Sequence, residues 1–212
     1  MTTLACQSRC HRLVTYFSAP RMPSIEHNQF LWNQHYDWSQ AGEEWSAGWG
    51  DSKTQWEGSL LPRIKSFVPT GTILEIAPGF GRWTQFLKDL CDNLLVVDLS
   101  AKCLDACRAR FATDTHIRYH LNDGKSLAMI PDASVDFVFS FDSLVHAEAE
   151  VLEAYVQQLA RKLKPQGVGF IHHSNLGAYP AGRYTSEKCC RAANAGLNAS
   201  ACWKAMQCAR RV

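Results

Sequence analysis

The chain of 212 residues carries 22 Lys and Arg against 20 Asp and Glu, a net charge of +2, and is 46% apolar. That length suits one domain with a sizeable buried core. The near-neutral charge gives no electrostatic footprint for nucleic acid or an anionic membrane, and no apolar run approaches the roughly 20 residues that span a bilayer.

In chain order, residues 1–24 hold Arg9, Arg12 and Arg21 but no Asp or Glu. This reads as a leader: an organellar transit segment, an unstructured extension, or sequence upstream of a start at Met22. Residues 25–69 are expected to form a helical cap. It contains Trp32, Trp38, Trp45, Trp49 and Trp56, a density that argues against disorder. Within 54–66, Trp56, Leu60 and Ile64 share one helical face, and Pro62 should kink or end that helix. The Trp side chains suit either plain core packing or a lid of aromatic faces over a ligand.

From Thr70 the pattern becomes strand–helix alternation. Strands are expected at 72–76, 94–98, 117–120, 135–140 and 168–173. Between them lie helical stripes at 83–90, at 100–111 behind a Ser100 cap, and at 151–163, closed by Pro165 and Gly167. Such alternation means βαβ units and a parallel sheet. Ser186–Ala195 reads as a helix with Gly196 at its end, and Leu197–Trp203 as one strand. There are nine cysteines, an odd number with no C-x-x-C pair, so zinc-site spacing is absent and no metal is expected. Reduced thiols and a cytoplasmic location fit best, with Cys103 and Cys107 as small hydrophobes on a helix.

The first strand runs into Glu75-Ile76-Ala77-Pro78-Gly79-Phe80-Gly81-Arg82-Trp83. Gly79 and Gly81 let backbone approach a ligand closely, and a helix N-terminus beyond them favours a carboxylate. The dinucleotide fingerprint G-x-G-x-x-G fails because position 84 is Thr. The loop therefore suits a cofactor without phosphate. Asp98, at the end of the second strand, is placed to accept hydrogen bonds from ribose hydroxyls. Structural alternatives are that Glu75 satisfies loop amides and that Asp98 caps the turn before Ser100.

These residues resemble a family. Glu75–Gly81 resembles the E/D-x-G-x-G-x-G motif of class I S-adenosylmethionine-dependent methyltransferases, with Ala77 in place of the first glycine. Asp98 matches that family's ribose-binding acid. Asn122-Asp123-Gly124 resembles its adenine-binding position, Asp136–Ser140 its fourth strand, and Leu163-Lys164-Pro165-Gln166-Gly167 the turn before its fifth. The resemblance spans about 70–173. It implies an α/β Rossmann-like parallel sheet in order 3-2-1-4-5 within a methyltransferase domain at 70–212. S-adenosylmethionine would sit on Glu75, Ala77, Gly79, Phe80, Gly81, Trp83, Asp98, Leu99, Asp123, Gly124, Ser140 and Phe141. The family's sheet normally adds a sixth strand and an antiparallel seventh, for which too few residues follow His173. The C-terminal side is thus read as short, or completed by a partner such as a second copy of the chain. Trp45–Gly50, Phe141–His146 and the stretch from Ile171 to Asn175 are further similar to bacterial methyltransferases associated with sugars or polysaccharides.

Methyl transfer is an in-line displacement, for which positioning matters most, and an oxygen nucleophile also needs a base. Candidates beyond the strand ends are His146, Asp142 and His172, with His173 beside them. Asp142 and His146 are spaced to share a helical face, so the carboxylate could orient the imidazole. Each His also suits a structural role. A Mg²⁺ site has only Asp142 to build on. The reading is an O-methyltransferase acting on a small molecule or glycan. The alternatives are N- or C-methylation of another metabolite, or an inactive fold that only binds.

Overall fold

The computed structural model describes residues 22–174. The leader up to residue 21, the helix at 186–195, the strand at 197–203 and Asn175 lie outside the described residues. Five parallel strands form one sheet in order β3-β2-β1-β4-β5, as the motif order predicts. They are β1 (Thr70–Ile76), β2 (Cys91–Asp98), β3 (Ile117–Leu121), β4 (Val135–Ser140) and β5 (Leu163–Ile171).

Both faces of the sheet are covered, so the strands read as continuous apolar runs. Side chains alternate between the faces. Ile73, Phe137 and Phe139 pack on one side with Leu60, Ile64 and Leu104. Leu74, Val97 and Val138 pack on the other with Val151, Tyr155 and Leu159. Phe137 and Phe139 are completely buried, each contributing roughly 1.5–3 kcal/mol of transfer free energy.

The helices are α1 (Ile25–Phe30), α2 (Ser52–Gln55), α3 (Leu61–Ile64), α4 (Thr84–Leu87), α5 (Ala101–Arg110) and α6 (Ala149–Lys162). Ser100 caps α5, its hydroxyl accepting from Cys103 N at 3.2 Å.

Four local expectations are corrected or narrowed. Of the two outcomes expected at Pro62, a kink or an end, the end is ruled out: α2 runs through a π turn at Trp56–Leu60 into α3, and the wider turn just before Pro62 accommodates its ring and missing N–H. The stripe at 83–90 splits into the short α4 and a 3₁₀ turn at Lys88–Leu90. Leu163–Gly167 is not a turn before the fifth strand but its first half. Gln166 takes φ 71° and the register slips between Val135 and Phe137, so the segment is a bulge. Pro165 is tolerated there, and Lys164 Nζ grips Asp136 Oδ2 at 2.7 Å. Finally β5 stops at Ile171, leaving His172 and His173 just beyond it.

Candidate active site

A cleft of about 820 Å³, partly open to solvent, lies beyond the C-terminal ends of β1, β2 and β4, and the N-terminal cap forms part of its wall. That is where ligands bind in open α/β sheets. Its floor is the loop after β1. Ala77, Gly79 and Gly81 all take left-handed φ, at 58°, 59° and 85°. Ala77 thus takes a conformation that favours glycine, the residue the family motif has there, and its N–H donates to Val97 O at 2.7 Å. A Cβ on Gly79 would stand 2.9 Å from the Trp38 ring. Trp38 stacks flat on Phe80, with ring centroids 4.4 Å apart. Trp38, Trp32 and Trp45 touch edge-on or tilted, and all three line the cleft.

Of the residues expected from the sequence, Ala77, Gly79, Phe80, Trp83, Asp98, Leu99, Gly124, Phe141, Asp142 and His146 line the cleft. Asp98 is buried, and burial pushes its carboxyl up to about 7. The amides of Ser100, Gly79 and Leu99 act in the opposite sense. It therefore both binds the turn before Ser100, at 2.8 Å, and faces the cleft.

Six expected residues are not on the cleft wall. Glu75 lies beneath the loop, fully buried, and accepts from Thr84 Oγ1 at 2.6 Å. Its other oxygen has no partner among the described residues. Burial, with the nearby charge of Asp98, raises its carboxyl to about 8 against the Thr84 hydrogen bond. Gly81 packs against α5, where a Cβ would meet Phe111 at 2.5 Å. Asp123 turns outward, its Oδ1 accepting from Lys125 N and Ser126 N. Ser140 is spent on the sheet, donating from Oγ to Ile76 O at 3.0 Å. His172 lies on the Phe141 ring, with centroids 4.6 Å apart. His173 is exposed, its Nδ1 beside Ser174 O.

The expected Asp142–His146 pair does not form. Asp142 sits at φ 65°, ahead of a 3₁₀ turn at Leu144–His146, so the two never share a helical face. Asp142 Oδ2 instead accepts from Arg82 Nη2 at 2.8 Å, and His172 Nδ1 lies 3.1 Å from Oδ1, out of line for a hydrogen bond. Arg82, which the sequence did not single out, is buried to 3% exposure. Its guanidinium also donates to Ser46 Oγ at 3.0 Å and lies over the Trp45 and Trp83 rings.

His146 thus stands alone. Its ring tilts against Trp32, centroids 5.5 Å apart, and makes no hydrogen bond among the described residues. Burial holds its imidazole below the ordinary 6.5, with only the Asp142 charge opposing. The turn that carries it is pinned by Ser143 Oγ donating to Ala77 O at 2.6 Å and by Asn28 Nδ2 donating to His146 O at 3.0 Å.

Residues 73–167 match the family described as methyltransferase domain. No curated protein sequence matches the chain. Among solved structures, an S-adenosylmethionine-dependent methyltransferase from Clostridium acetobutylicum superposes with TM-score 0.53 at 21% identity, over 63% of this chain and 55% of that one. A phosphoethanolamine N-methyltransferase of Haemonchus contortus, solved with phosphoethanolamine and S-adenosylhomocysteine, gives 0.52 at 19%, over 71% and 33%. A Pyrococcus horikoshii protein gives 0.50 at 20%, over 70% and 65%. The chain thus spans less than two thirds of the length of each of these structures. Sheet order and glycine loop agree with the family match: residues 73–167 resemble a methyltransferase domain.

Proposed function

We propose that this protein is a methyltransferase acting on a hydroxyl of a small molecule or sugar, with His146 as general base. The observation that carries this reading is one arrangement. A neutral, unpartnered imidazole lines the same cleft as the left-handed loop and Asp98. The residues fit the cofactor. Ala77 and Gly79 line the cleft with left-handed backbone, which suits a ligand lying against the main chain. Asp98 offers a buried acceptor for ribose hydroxyls, and the Nε1–H of Trp83, buried without a partner, suits a carboxylate. When bound, S-adenosylmethionine supplies an electrophilic methyl group on a sulfonium.

The chain's own residues do the rest. Burial keeps His146 deprotonated at neutral pH, so Nδ1 or Nε2 can take the hydroxyl proton. Arg82 holds Asp142, whose nearby charge then stabilises the imidazolium. The aromatic walls present faces on which a sugar or other ring can stack. Two features support acceptors other than nucleic acid and a cytoplasmic setting. Charge is near neutral, and Cys91, Cys103 and Cys107 are free thiols. Among the described residues, no helix is long and apolar enough to cross a membrane.

The test is His146→Ala, assayed with a hydroxyl acceptor alongside calorimetry with S-adenosylhomocysteine. The expected result is a fall in kcat of about 10²–10⁴-fold at unchanged S-adenosylhomocysteine affinity. The wild-type kcat should fall at a pH below the ordinary histidine value, as the depressed imidazole protonates. Near-wild-type kcat, or a loss confined to the acceptor's KM, would remove His146 as base. Failure of S-adenosylhomocysteine to bind would sink the whole reading.

A further inference from the structure

Asn28 is 7% exposed and lines the cleft. Its Nδ2 faces two carbonyls, His146 O at 3.0 Å and Pro23 O at 3.3 Å. Both partners are acceptors, so they settle which end of the amide is nitrogen. The two N–H groups are thereby used, and Oδ1 remains buried with no partner among the described residues. A buried, unpaired carbonyl is unfavourable, and a ligand donor in the cleft would relieve it. Position indicates which donor. Ile25 stands one helical turn before Asn28 on α1, and its side chain presses on Gly124, 2.9 Å from where a Cβ would lie. Gly124 follows β3, and both it and Ile25 line the cleft. Asp123, the one acid beside Gly124, spends its Oδ1 on its own turn and faces solvent. The acceptor at this end of the cleft is therefore supplied by the N-terminal cap.

We propose that Asn28 reads the base of the bound cofactor, its Oδ1 accepting a hydrogen bond from the exocyclic amine of adenine. The inference rests on S-adenosylmethionine being the ligand. Asn28 is a specificity residue, and through its Nδ2 it joins base recognition to the turn that carries His146.

The experiment is calorimetry on the full chain with S-adenosylhomocysteine and its hypoxanthine analogue, in which a carbonyl replaces the amine. Wild type should prefer the adenine form by about 10-fold or more, since the analogue sets an acceptor against an acceptor. In Asn28→Leu that preference should fall to within about 3-fold. Asn28→Thr, whose hydroxyl can still donate to His146 O, serves should the apolar variant fail to fold, and should lose the preference likewise. A wild type indifferent to the two bases overturns the proposal. So does a preference that survives in either variant, or an adenine affinity that stays unchanged while only the acceptor's KM rises. S-adenosylhomocysteine failing to bind wild type at all refutes the underlying reading instead.

Discussion

Glu75 shows how a single side chain in the core reports on its surroundings. It is completely enclosed, with one oxygen held by Thr84 and the other unpaired, and burial lifts its carboxyl to about 8. A carboxyl whose folded-state value lies above its ordinary 4.5 favours the fold while protonated in both states. That contribution is complete below 4.5 and is lost as pH rises through about 8. Glu75→Gln keeps the shape and the acceptor for Thr84 but cannot ionise. Denaturation midpoints of the two proteins should therefore converge near pH 5, while at about pH 8 the glutamine form should be the more stable. Parallel midpoints across that range would mean that Glu75 is ionised throughout. The same residue marks a limit of sequence reading. Its place in the motif suggested a ligand contact, whereas the chain uses it as the support under the loop.

At the scale of elements, the loop between β1 and α4 depends on backbone that side chains rarely adopt. Gly81 has φ 85°, and any Cβ there would drive into Phe111 at the end of α5. Gly81→Ala should cost roughly 2–4 kcal/mol, combining left-handed strain with overpacking. Urea denaturation measures this. Gly58→Ala is the control, since its Cβ would make only an ordinary contact, 3.9 Å from Trp49. A loss at Gly81 no larger than at Gly58 would show that the loop yields freely. The strands, their order and this loop were legible because buried parallel strands spell continuous apolar runs and left-handed turns select glycine. Elements whose signals are ambiguous were not. Proline, glutamine and glycine at 165–167 punctuate a bulge as readily as a turn, and only the pairing of Val135 with Leu163 decides between them. Spacing likewise suggested a helical Asp142–His146 pair, because nothing local announces the left-handed φ at Asp142.

Across the whole molecule, cap and sheet meet at Arg82. It takes a hydroxyl from the cap at Ser46, a carboxylate from the loop after β4 at Asp142, and indole faces from both sides at Trp45 and Trp83. Those polar partners lie 36 and 60 residues away, which is why no local pattern marked the residue. A guanidinium can serve them together because it presents several donors in one plane, and an ammonium cannot. Arg82→Lys should keep an ion pair with Asp142 but release Ser46. Arg82→Met should also strand a buried carboxylate, a loss of about 3–5 kcal/mol. Hydrogen exchange separates a clasp from a merely buried charge. If Arg82 is the clasp, amides in the cap around 38–50 should exchange faster in Arg82→Lys while those of β1 and β4 stay protected, and S-adenosylhomocysteine should restore little of that protection. Faster exchange spread evenly over cap and sheet would show only general destabilisation. Unchanged exchange in the cap would show that the aromatic contacts of Trp38 with Phe80 hold it closed without the arginine.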